Sequence, residues 1–266
     1  MRDLKVALIQ SNLHWENIPS NLKMFEEKIS RIVEQLDIIV LPEMFSTGFT
    51  MANAQHLAEE MTGSAVQWMS RIARENNCAV TGSLIIRENG KIFNRLIWAD
   101  ANGNFFSYDK RHLFSLTGEQ KVFTEGKEKL IAEASEWKIL PLVCYDLRFP
   151  VWSRQDRSSA IRHPSYDILI YVANWPQVRI EMWKKLLPAR AIENQCYVIG
   201  VNRVGIDGNG VYHSGDSMVV NALGEILYHK TDDEDVKVIT LDPVHLMQTR
   251  QQFPFLKDGD EFTIHS

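Results

Sequence analysis

The chain has 266 residues, 45% hydrophobic and 24% charged, with a formal net charge of −5. Acidic and basic residues are interspersed without a basic block, which argues against a nucleic-acid partner because phosphate binding needs concentrated Lys and Arg. No apolar run approaches the roughly 18 residues that span a bilayer, so no membrane partner is expected. Three cysteines, Cys78, Cys144 and Cys196, are odd in number and in no metal-ligand spacing, which fits free thiols in a reducing compartment. The opening stretch MRDLKVALIQSNL lacks the apolar region and cleavage site of a signal peptide, so a cytoplasmic location is expected.

LKVALIQ (4–10) and LDIIVLPE (36–43) are short β-branched runs. Between them Leu22, Phe25, Ile29, Ile32, Val33 and Leu36 recur at helical spacing, which predicts a β-α-β unit. A second helix is predicted from about Ala65 to Asn76, opened by a Ser64–Gln67 capping box. Asn89-Gly90 and Asn102-Gly103 then punctuate strand-like runs and predict antiparallel hairpins. The second half continues with strands over 137–144 and 166–176, a helix over about 178–195 that Pro188 should kink, and closing strands. No linker, low-complexity tract or repeat interrupts the sequence, so residues 1–266 read as one mixed α/β domain.

Three apolar runs stop at a reactive side chain: IIVLPE at Glu43, FFSYDK at Lys110 and ILPLVC at Cys144. Ligands in α/β proteins bind beyond the carboxyl ends of strands, so such residues tend to converge. Taken singly, each has an ordinary explanation: Glu43 caps a turn, Lys110 is a solvated loop residue, Cys144 packs as a small hydrophobe. Together they make an acyl-transfer centre. A thiol is mostly protonated at neutral pH and needs a base, which a carboxylate supplies, and an ammonium can hold the oxyanion formed on attack.

In this order, LPEMFSTGF, YDKRHLF and VCYDLRFP, joined by YVANWP and PARAIENQCYVIGVNRVG, resemble the carbon-nitrogen hydrolases of the nitrilase superfamily, most of all their omega-amidase branch. The resemblance implies a four-layer α-β-β-α sandwich with two mixed sheets face to face, assembled as a homodimer or higher homo-oligomer. It implies Glu43 as general base and acid, Lys110 as oxyanion stabiliser, Cys144 as nucleophile, Glu119 of SLTGEQ as a supporting second glutamate, and the Tyr145 backbone N–H as oxyanion donor. It implies no cofactor and no metal. The substrate class it implies is a small 2-oxo dicarboxylic acid monoamide, such as 2-oxoglutaramate or 2-oxosuccinamate, hydrolysed through a cysteine thioester. Phe45, Phe49 and Trp175 are candidate pocket walls, and Arg111 and Arg148 candidate readers of a substrate carboxylate. Asp146, Arg148, Arg190 and Glu193 read as ion pairs that orient the turn after Cys144.

Three alternatives stand beside this reading. The same Glu-Lys-Cys chemistry would serve N-carbamoyl amines or other aliphatic amides. A Cys-His pair could use His112, His163 or His213 as base. An idle sandwich could bind a partner protein through a helical face. One stretch departs from the family pattern: SRQDRSSAIRHPSYD is long and polar, and predicts an exposed loop.

Overall fold

The computed structural model describes residues 1–155 and 165–264 of the chain. Strands β1 (Leu4–Gln10), β2 (Ile38–Val40), β3 (Ala79–Glu88), β4 (Lys91–Ala99) and β5 (Phe105–Asp109) belong to one sheet, and β13 (Asp235–Leu241) closes it, in the order β13-β1-β2-β3-β4-β5. The second sheet contains β6 (Ala132–Ala134), β7 (Trp137–Val143), β8 (Ile168–Ala173), β9 (Tyr197–Asn202), β10 (Val204–Ile206) and β11 (Tyr212–Val220) in the order β10-β11-β9-β8-β7-β6, with β12 (Ile226–Thr231) paired to β11. Both sheets are mixed, as expected: β1-β2-β3 and β7-β8-β9 are parallel, and the flanking pairs are antiparallel.

The continuous burial of β1 follows from its two faces. Val6 and Leu8 join the core between the sheets, whereas Ala7 and Ile9 lie under helices α1 (Ile18–Ile29) and α2 (Ser64–Asn76), against Phe25, Met69 and Ile72. A strand covered on both sides loses the polar alternation of a half-exposed one. On the far side, α3 (Ile180–Asn194) and α4 (Pro243–Gln252) bury Trp183, Leu187 and Leu246 in the core that includes the second sheet. Gly200 in β9 permits that approach, since a Cβ there would lie 2.6 Å from both Leu187 and Trp183. The result is the predicted α-β-β-α sandwich.

Local differences from the predicted elements have simple causes. The first helix stops at Ile29 rather than reaching Leu36, and Val33 is 98% exposed. Ser30 closes the last turn through its N–H to the Glu26 carbonyl, which lets the chain swing into β2. The α2 N-terminus is not held by a Ser64–Gln67 box. Ser64 is already helical, and the Glu59 carboxylate accepts from its N–H and hydroxyl at 2.8 and 2.6 Å. The helix α3 continues through Pro188. Both hairpins form: Asn89 and Gly90 take φ of 50° and 74°, a two-residue turn that suits the twist of β3 and β4. Most of the polar stretch 153–166 lies outside the described residues. At its ends, Gln155 donates to the Asn194 carbonyl at 2.8 Å and accepts from the Ser165 N–H at 3.0 Å. Among the described residues no helix is long and apolar enough to cross a membrane.

Candidate active site

Topology decides where Glu43, Lys110 and Cys144 meet. The two reversals from β3 to β4 and from β4 to β5 leave β5 parallel to β2 and β3, so Lys110, the residue after β5, emerges at the same sheet end as Glu43. Cys144 follows β7 directly, and Asn174 follows the parallel neighbour β8. The two sheets thus present four strand ends to one crevice.

Glu43, Lys110 and Glu119 are 0%, 1% and 0% exposed. The Lys110 ammonium donates to Glu43 Oε1 at 2.9 Å and to both Glu119 oxygens at 3.0 Å. Asn94 of β4 donates to Glu43 Oε1 at 2.8 Å and to Glu119 Oε1 at 3.2 Å, and the Asn174 N–H to Glu43 Oε2 at 2.8 Å. The Phe114 N–H adds a donor to Glu119. Burial by itself works against the Lys110 charge, but Glu119 and Glu43 outweigh it and hold its pKa above the ordinary lysine value. Glu119 is shifted upward, chiefly by burial and then by repulsion from Glu43, against the pull of Lys110.

Cys144 lines the same pocket as Glu43 and Lys110 and lies within reach of the Glu43 charge. Although the residue is only partly covered, desolvation and the negative charge of Glu43 hold the thiol well above its usual range, with Lys110 pulling the other way. The resting group is therefore a thiol in the same pocket as a base. Cys144 has φ of 44°, a left-handed backbone that costs a non-glycine residue free energy and is characteristic of residues presented to a ligand. Tyr145 stands in the first turn of the helical segment Cys144–Arg148, where backbone N–H groups lack partners within the helix. Its ring meets Phe114 edge-on at 4.9 Å.

Asp146 fixes this turn. It accepts from the Val143 N–H at 3.1 Å, the Tyr108 hydroxyl at 2.7 Å and the His112 N–H at 3.0 Å, and meets His112 Nδ1 at 2.8 Å. One carboxylate thereby ties the lysine loop of one sheet to the cysteine turn of the other. Arg190 adds a bond to the Leu147 carbonyl at 2.6 Å and pairs with Glu193 at 3.0 Å.

A pocket opens over Cys144, with Glu43, Lys110, Tyr145, Phe49, Trp175 and Arg148 among its lining residues. Two expected pocket residues are elsewhere. Met44, at φ of 42°, turns the chain so that Phe45 is fully buried against Phe25 and Trp68 at 5.5 and 5.8 Å, in the helical layer. Arg111 points away, its guanidinium over the Trp152 ring at 5.5 Å and bonded to the Gly126 carbonyl at 3.1 Å. Of the three histidines, His112 stacks on Phe149 at 3.8 Å and is not among the residues lining the pocket. His163 lies outside the described residues.

His213 does line the pocket, with Nδ1 3.1 Å from the Val211 carbonyl. Burial, and then Arg203, push its pKa down to about 4, so at neutral pH it is an uncharged wall. The unfolded chain protonates this imidazole near pH 6.5 and the folded chain only near 4. The associated stability is present above pH 6.5 and is lost as pH falls through about 4, a contribution of about 3 kcal/mol. Denaturant unfolding at pH 7 and pH 4.5 should therefore show a smaller acid loss for His213→Gln than for the wild type; equal losses would refute this.

Sequence reasoning missed Asn94, Asn174 and Arg179. Asn174 carries the same mark as Cys144, a polar residue at the end of an apolar strand, and Asn94 is a polar residue inside the run KIFNRLIWA. Arg179, after NWP, has no comparable signal.

Residues 5–251 match the family model for carbon-nitrogen hydrolase. The chain belongs to the carbon-nitrogen hydrolase family. Among relatives of this hydrolase, an omega-amidase, YafV, of Escherichia coli strain K12 is 42% identical, covering 99% of this chain and 100% of that one. A 2-oxoglutaramate amidase of Bacillus subtilis is 31% identical, over 95% and 96% of the two chains. The crystal structure of XC1258 from Xanthomonas campestris, a CN-hydrolase superfamily protein with an arsenic adduct in its active site, superposes with a TM-score of 0.97 at 39% identity, covering 100% of both chains.

Proposed function

We propose that this carbon-nitrogen hydrolase is an omega-amidase that releases ammonia from the terminal amide of small 2-oxo dicarboxylic acid monoamides, 2-oxoglutaramate and 2-oxosuccinamate among them. The single observation that carries the chemistry is the buried Lys110, clamped between Glu43 and Glu119 and lining one pocket with Glu43 and Cys144. The substrate class rests on the named activities of the Escherichia coli and Bacillus subtilis relatives.

In this reading Glu43 takes the thiol proton as Cys144 attacks the amide carbon, so no standing thiolate is needed. The oxyanion is stabilised by the Lys110 ammonium and the Tyr145 N–H, donors already in place before charge develops. Glu43 then returns the proton to the departing nitrogen, ammonia leaves, and a thioester remains on Cys144. Water, deprotonated by Glu43, attacks the thioester, and collapse of the second oxyanion frees the acid and the thiol. Glu119, accepting from the Lys110 ammonium through both oxygens, keeps Lys110 in position.

The test is ammonia release by the purified protein from 2-oxoglutaramate, with an N-carbamoyl amino acid and glutamine assayed beside it. Turnover of the 2-oxo amide at a kcat/KM at least about tenfold above the other two is expected. Preference for the carbamoyl compound would discard the substrate and keep the Glu-Lys-Cys chemistry. Silence on all three would remove the omega-amidase reading.

A further inference from the structure

Two arginines stand over the nucleophile with no carboxylate of their own among the described residues. Arg148 ends the helical segment that begins at Cys144, and Arg179 ends the helical turn Gln177–Arg179 after β8. Because β7 and β8 are parallel neighbours, both side chains rise from the same sheet end as the thiol, and both line the pocket. Three other partly or fully buried arginines hold carboxylates, Arg95 with Asp109, Arg190 with Glu193 and Arg250 with Asp167, and the buried Arg203 is bonded instead to the Val204 carbonyl and Asn12. Arg148 and Arg179 instead lie over the aromatic faces of Trp175 and Phe114, at 5.0 and 4.9 Å. The one hydrogen-bond contact of these two side chains is Arg148 Nη2 to the Met182 sulfur at 2.8 Å, among the described residues.

The acids that line the same pocket are engaged elsewhere. Glu43 is held by Lys110, Asn94 and Asn174, and Asp207 accepts from the N–H groups of Asn209 and Val211 in its own hairpin at 2.8 and 2.9 Å. Stacking on aromatic rings fixes the plane of a guanidinium while leaving its edge N–H groups free. Two adjacent cations so held, each repelling the other, form a poor arrangement for an empty protein and a good one for an anion. Desolvation, and the charge of Arg148, depress the pKa of Arg179, whereas a negative charge at Cys144 favours its protonated form.

We propose that Arg179 and Arg148 together bind the carboxylate at the far end of the amide substrate, and that Arg179 sets the preference for anionic over uncharged amides. This rests on the amidase reading above and adds to it the residues that read the substrate. Forked N–H donors from two guanidinium groups suit the two oxygens of a carboxylate. Their joint positive charge disfavours the α-ammonium group of glutamine and accepts the uncharged 2-oxo group in its place.

The experiment measures kcat/KM for 2-oxoglutaramate and for an uncharged aliphatic amide, valeramide, in wild type, Arg179→Gln, Arg179→Lys and Arg148→Gln. The inhibition constant of 2-oxoglutarate against valeramide turnover is measured in parallel. The ratio of the anionic to the uncharged substrate should fall about 30-fold in Arg179→Gln, mostly through KM, recover in part in Arg179→Lys, and fall in Arg148→Gln as well. The 2-oxoglutarate inhibition constant should rise by a similar factor. Equal losses on both substrates would assign the arginines to holding the pocket together, and an unchanged ratio would overturn the clamp while leaving the amidase reading standing. If the wild type hydrolyses valeramide but not 2-oxoglutaramate, the functional reading fails. The inhibition arm then decides separately: inhibition by 2-oxoglutarate lost in Arg179→Gln upholds the anion clamp, and no inhibition of the wild type removes it.

Discussion

Cys144→Ala should lower amide hydrolysis at least about 10⁴-fold, to the limit of detection, while leaving the fold unchanged. The alanine keeps the Cβ, so the backbone at φ of 44° carries the same cost in both proteins. No neighbour loses a hydrogen bond it needs, because Glu43 still accepts from Lys110, Asn94 and the Asn174 N–H. A thiol reagent gives an independent check. Cys78 and Cys196 are buried, whereas Cys144 is partly exposed and lines the open pocket. Iodoacetamide should therefore label Cys144 first, and peptide mass analysis would locate it. Residual turnover above about 1% in the alanine variant, in protein with wild-type unfolding behaviour, would place the nucleophile elsewhere.

Lys110→Met should cost both activity and stability, and the two losses have different pH signatures. Removing an oxyanion donor slows catalysis at least about 100-fold. Removing the cation from between two buried carboxylates leaves Glu43 and Glu119 facing one another with Asn94 as their shared donor, and breaking a buried pair in this way costs about 3–5 kcal/mol. Glu119, already raised by burial and by the charge of Glu43, loses the opposing pull of Lys110, so its pKa in the folded variant rises further above the ordinary glutamate value of 4.5. For a group raised on folding, the stability it contributes is present below 4.5 and is lost as pH rises through the folded value. The deficit of the variant relative to wild type should thus be small near pH 5 and large at pH 8. Urea unfolding at the two pH values checks this, and a deficit independent of pH would mean that Lys110 stabilises by packing alone.

How much of this was legible beforehand depends on whether a residue's role is local or set by topology. Glu43, Lys110 and Cys144 could be picked out because each ends an apolar run, and the Asn89-Gly90 hairpin because its turn chemistry is local. That Lys110 and Glu119 are completely buried was not legible, since lysine and glutamate alone in a loop are ordinarily solvated. Their burial follows from mutual pairing, and pairing follows from a sheet order that returns β5 parallel to β2. Phe45 shows the opposite failure. Its nearness in sequence to Glu43 counted for less than one positive φ at Met44, which turned the ring to the other layer. Arg111 and Arg179 are both arginines near a motif, and only the direction of the chain separates the one on Trp152 from the one in the pocket. The predicted Ser64–Gln67 cap failed because a carboxylate from outside the helix, Glu59, reached the same amides first.

The pairing of β1 with β13 has a kinetic consequence. Leu4 meets Leu241 and Gln10 meets Asp235, so the outer edge of β1 is completed by a segment synthesised long after it. At ribosomal rates of about 5–20 residues per second, that edge waits on the order of 10–50 seconds for its partner. Through that interval an apolar strand with unpaired N–H and C=O groups is open to association with other chains. The yield of native protein should then depend on what shields this edge during translation, and a folding assistant that holds LKVALIQ until β13 emerges should matter more for this chain than for one in which the corresponding strand pairs locally.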